Sequence, residues 1–136
     1  MGNKEKHRRE HHKHAEKIRL NERPMNEAEE KGMGLTFWLS SYSRGGKREF
    51  ELPNETQDDK SSVTITRTTH LQPTSNGNRM ILRDPPATIS MEGLQQIDSY
   101  LEYATSDVDN LDTNPEISKT INGAHAQIFR VRRLLS

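Results

Sequence analysis

The chain has 136 residues, of which 29% are hydrophobic and 5% aromatic; 20 basic residues balance 20 acidic ones, and there is no cysteine. That apolar content is low for a globular domain of this length, so part of the chain is expected to lie outside any core. The missing cysteines exclude disulfides, thiolate metal sites and cysteine nucleophiles and fit a cytoplasmic protein, and no run approaches the roughly 18 apolar residues of a membrane span.

The first 24 residues hold Lys4, Lys6, Arg8, Arg9, Lys13, Lys17, Arg19 and Arg23 against four glutamates, leaving twelve basic and sixteen acidic residues for the rest of the chain. The neutral total therefore conceals a positive N-terminal segment and a negative remainder, which could attract each other. Residues 1–32 read as a basic, His-rich arm, intrinsically disordered or weakly helical, because they contain too few apolar side chains to build a core. Arg23-Pro24 marks a break, since proline disfavours helix in the residue before it, and residues 26–31 form an acidic, helix-favouring piece. Gly32 and Gly34 then separate the arm from a single domain over residues 33–136.

Leu35 to Ser43 alternates, with Leu35, Phe37 and Leu39 on one side and Trp38 and Tyr42 on the other, which predicts a strand. Ser43-Arg44-Gly45-Gly46 supplies a turn and residues 47–52 alternate again, with Phe50 and Leu52 inward, so 35–52 reads as a β-hairpin. Residues 62–70 (SVTITRTTH) are dense in β-branched side chains that suit a pleated surface. The turn-forming residues 73–78 lead into a short fourth strand at 79–83, stopped by Asp84-Pro85-Pro86.

The period then becomes helical. Leu94, Ile97, Leu101, Ala104 and Val108 recur at spacings of three and four, giving a helix over 90–105 with Thr88 or Ser90 as its N-cap. After an acidic connector, Asn114-Pro115-Glu116 reads as cap, favoured first-turn proline and first-turn carboxylate of a helix over 115–135, with Ile117, Ile121, Ala124, Ile128, Val131 and Leu135 as its stripe. The fold class is thus α+β: a small antiparallel sheet of about four strands in two hairpins, followed by two amphipathic helices that pair on the sheet or on a second copy.

The chemistry-bearing residues are few. His7, His11 and His14 share one face if the arm is helical, but a mobile arm offers no closed geometry, so neither metal nor cofactor is expected. Ordinary imidazole titration would instead make the arm more cationic in mild acid. Asp107-Val108-Asp109-Asn110-Leu111-Asp112 lacks the glycine and the closing glutamate of a calcium loop and reads as an acidic connector. Met1-Gly2 opens like an acylation signal, but Lys6 stands where Ser or Thr is required. Arg44-Gly45-Gly46-Lys47 reads as a basic hairpin tip rather than a phosphate loop, and no nucleophile elbow is present. Trp38 and Tyr42 could form a base-stacking platform, although packing is the favoured use of a lone Trp.

These features point to a small non-enzymatic binding protein without a membrane partner. Its arm would meet nucleic acid or a ribonucleoprotein, with Lys4, Lys6, Arg8, Arg9, Lys13, Lys17 and Arg19 on phosphates and Arg44, Lys47 and Arg48 as a second patch. A solvated tail is the plainer alternative, because Glu5, Glu10, Glu16 and Glu22 interrupt the basic run. The rival from another class is a protein-directed regulator of phage or mobile-element type, whose helix pair dimerises or docks on a host protein while the arm only steers association.

Overall fold

The computed structural model describes residues 25–53, 60–106 and 114–136. Its first element is a helix, α1 (Glu27–Leu39), where the sequence suggested the end of an arm and a strand over 35–43. The start is fixed by a reciprocal cap: Asn26 Oδ1 accepts from the Glu29 amide at 2.8 Å, and Glu29 Oε1 accepts from the Asn26 amide at 3.1 Å. The buried positions are Glu29, Gly32, Thr36 and Leu39, spaced by three and four. Only one of these is a large apolar residue, so hydrophobic periodicity does not report the buried face, and the alternation of Leu35, Phe37 and Leu39 misleads. Gly32, expected as a boundary, lies inside this helix.

A tight hairpin follows, with β1 (Tyr42–Ser43) turning through Arg44-Gly45 into β2 (Gly46–Glu51) and pairing Tyr42 with Lys47. β3 (Ser62–Leu71) is the central strand: β2 lies along it from Gly46↔Leu71 to Glu51↔Thr66. β4 (Ile81–Arg83) pairs with β3 at Thr68 to His70, and β5 (Ala87–Ser90) pairs with it at Ser62 to Ile65. Between Arg83↔Thr68 and Ala87↔Ile65 the returning chain spends one residue more than β3 does, so Asp84-Pro85-Pro86 forms a bulge in one return strand. The sheet has five strands where four were expected; β5 escapes a reading that stops at the prolines and starts the helix at once.

Ser90 caps α2 (Met91–Thr105), accepting from the Gly93 amide at 3.0 Å, and Asn114 caps α3 (Pro115–Leu135) with Pro115 in its first turn. β2 to β4 and both of these helices fall within two residues of the ranges read from the sequence. All three helices share one core with the inner face of the sheet, built on Leu39, Val63, Ile65, Ile89, Ile97, Ile128 and Val131. Among the described residues, the stripes of α2 and α3 are therefore consumed inside the protein. α1 packs most extensively on α2 and next on α3, which touch each other sparingly, so the expected helix pair is a layer of three. Two glycines permit this closeness: a Cβ on Gly32 would stand 1.9 Å from the Gln96 carbonyl oxygen of α2, and one on Gly123 would stand 2.5 Å from Ser40 Oγ.

Candidate functional site

The basic hairpin tip separates into two environments, as strand alternation requires. Arg44, in the turn, is exposed, with Nη2 3.5 Å from Glu116 Oε2 in the first turn of α3, an exposed pair of little energetic weight. Lys47 is exposed on the outer face of the sheet. Arg48, one residue on, turns inward: its Nη1 donates to the Phe37 carbonyl at 3.2 Å and its guanidinium lies 4.8 Å from the Phe37 ring centre. Burial, with the nearby charge of Arg67, lowers the Arg48 pKa. Of the expected patch, Arg44 and Lys47 are exposed, whereas Arg48 is half-buried and bonded to the end of α1. The expected phosphate contacts Lys4, Lys6, Arg8, Arg9, Lys13, Lys17 and Arg19 lie outside the described residues, as do His7, His11 and His14 and the acidic segment from Asp107 to Asp112.

Beside Arg48 on the same sheet face lies a densely bonded polar cluster. Arg67 Nε donates to Asp84 Oδ2 at 2.8 Å, Arg67 Nη1 donates to the Trp38 carbonyl at 3.1 Å, and Thr69 Oγ1 donates to the same Asp84 oxygen at 2.8 Å. The bond from Arg67 holds the Asp84 carboxyl below its ordinary pKa against the opposing effect of burial, with help from Thr69. α1 ends without a basic residue in its last turn. Arg48 and Arg67 bring positive charge from the sheet to its terminal carbonyls, satisfying acceptors that a helix leaves open. Arg67 is committed to two protein acceptors, and Arg48 gives one bond to the Phe37 carbonyl while its buried Nε has no partner, so the cluster docks the end of α1 on the sheet.

Trp38 belongs to the same construction. The Arg67 guanidinium sits 4.5 Å from its ring centre, and Phe50 meets it edge-on at 5.8 Å and 62°. Trp38 and Tyr42 lie on different elements, so they form no common stacking platform; Tyr42 instead faces Lys119 Nζ at 5.4 Å. The importance of Arg67 and Asp84 was missed in the sequence, yet a signal existed. The inward register Val63, Ile65, Arg67 places a cation in an apolar row, where it requires an acceptor.

The outer sheet face carries Lys47, Glu49, Glu51, Thr64 and His70 beside the exposed Ile81, with His70 Nε2 3.1 Å from Glu49 Oε1. A shallow groove beside α1 is lined by Met33, Phe37, Tyr100 and Ile117, with Glu30 and Glu116 at its rim. Among the described residues, no three His, Asp or Glu side chains stand together as metal ligands, and no helix is long and apolar enough to cross a membrane. Comparison with protein-family models, curated proteins and solved structures returns no match.

Proposed function

We propose that this is a small non-enzymatic binding protein that engages nucleic acid, free or within a ribonucleoprotein, through Lys4, Lys6, Arg8, Arg9, Lys13, Lys17 and Arg19. The observation that carries this reading is the segregation of charge: eight of the chain's 20 basic residues, against four of its 20 acidic ones, fall in the first 24 positions. A chain segment of that charge gains affinity for phosphates largely by releasing condensed counterions. Arg44 and Lys47, exposed at the β1–β2 hairpin, support it as auxiliary contacts, and Arg48 is left to hold α1.

The test compares the full chain with a variant in which the seven arm cations are replaced by glutamine, titrated against labelled single-stranded and double-stranded RNA and DNA at several salt concentrations. Strong binding with a steep log–log salt dependence, largely abolished in the variant, is expected. Equally weak, salt-insensitive binding by both proteins would overturn the proposal.

A further inference from the structure

β4 and the residue before it carry three consecutive exposed apolar side chains, Met80 (55% exposed), Ile81 (59%) and Leu82 (43%). An edge of this kind is what folded proteins ordinarily shorten, charge or cover. Its backbone orientation follows from two hydrogen bonds: Leu71 N donates to the Met80 carbonyl at 2.9 Å, and Asp84 N donates to the Arg67 carbonyl at 2.9 Å. Met80, Leu82 and Asp84 therefore turn their peptide groups toward β3, and alternation directs the N–H and C=O groups of Ile81 and Arg83 away from the sheet. Among the described residues no backbone group pairs with that outward row. Arg79 and Arg83 flank Ile81, and among the described residues neither forms an ion pair.

We propose that β4 receives an extended acidic strand from a partner protein, which joins the sheet by backbone hydrogen bonds to Ile81 and Arg83. Alternate side chains of the added strand share one face. The matching sequence is therefore acid, apolar, acid at every second position, with the carboxylates on Arg79 and Arg83 and the apolar group on Ile81. Charge selects this occupant over the N-terminal segment and over a second copy of β4. The N-terminal segment has the same sign as Arg79 and Arg83, and a second copy paired Ile81 to Ile81 would set Arg79 against Arg83 of its neighbour. Nucleic acid would match the two guanidiniums but would leave Ile81 and the outward amide row without partners. The proposal is independent of the nucleic-acid reading.

The experiment uses the full chain and three labelled short peptides: Glu-Thr-Val-Thr-Glu (the Glu–Val peptide), the same peptide with both threonines replaced by proline, and Lys-Thr-Val-Thr-Lys (the Lys–Val peptide). The Glu–Val peptide is expected to bind at least about tenfold more tightly than either control, and to slow amide hydrogen exchange at Ile81 and Arg83. Ile81→Pro removes the outward donor and the apolar side chain while leaving the donors to β3, which belong to its neighbours, and is expected to weaken binding about tenfold. The double variant Arg79→Glu, Arg83→Glu is expected to transfer the preference to the Lys–Val peptide, and this keeps the test decisive if Ile81→Pro disturbs folding. Equal binding of all three peptides overturns the proposal. So does protection of Ile81 and Arg83 by a short single-stranded DNA in place of the peptide, or by raised protein concentration alone, which would assign the edge to nucleic acid or to a second copy.

Discussion

Arg67 on β3 and Asp84, the residue that follows β4, have Nε and Oδ2 2.8 Å apart and side chains only 13% and 18% exposed. Their pairing joins the end of β4 to β3, and the second donor of Arg67 carries the link on to the Trp38 carbonyl of α1. Three elements thus meet on one guanidinium. Because the Arg67 bond is the main cause of the lowered Asp84 pKa, the stability it contributes has a definite pH window. It is fully present above the unfolded-state value of about 3.9 and is lost as pH falls through the lower folded-state value. Asp84→Asn is expected to destabilise the protein by about 1.5–3 kcal/mol at neutral pH and to flatten the acid limb of its stability profile, measured by urea unfolding between pH 2 and 7.

Thr36 presents the opposite case, a polar group with nothing to bond. It is fully buried in α1, and its Oγ1 has no hydrogen-bond partner. Valine has nearly the same shape and a similar helix propensity, so Thr36→Val removes a desolvated hydroxyl without opening a cavity. The substitution is expected to raise stability by about 1 kcal/mol, read as a higher urea midpoint at unchanged slope.

Asn26 and Glu29 explain why α1 was harder to read than the rest of the fold. For β3, α2 and α3, β-branched density or a regular apolar stripe reports the buried face directly, and those elements were legible. In α1 the buried face is Glu29, Gly32, Thr36 and Leu39, so packing depends on close backbone approach rather than on large apolar side chains. The surviving signal is local: Asn26 three residues before Glu29 is a capping-box pattern. The inward turn of Arg48 was hidden for the same reason, since its acceptor is the Phe37 carbonyl of a helix read as a strand. Asn26→Ala is expected to cost about 1 kcal/mol and to speed amide exchange in the first turn of α1, while Asn26→Ser retains most of the stability.

Gly32 and Gly34 stand two residues apart in α1 and are expected to respond to alanine with opposite signs. Alanine favours helix over glycine by about 0.8–1.0 kcal/mol per interior position, so propensity alone would make both substitutions stabilising. At Gly34 nothing lies within 4 Å of an added Cβ, and Gly34→Ala is expected to gain about 0.5–1 kcal/mol. At Gly32 the added atom would meet the Gln96 carbonyl oxygen at 1.9 Å and Tyr100 Cβ at 2.7 Å. That oxygen belongs to the backbone of α2 and cannot rotate aside, so the helices must separate. The crowding outweighs the propensity gain, and Gly32→Ala is expected to lose about 2 kcal/mol or more. Parallel urea titrations of the two variants check the pair: a Gly32→Ala protein as stable as Gly34→Ala would mean that α1 and α2 do not approach as closely as described.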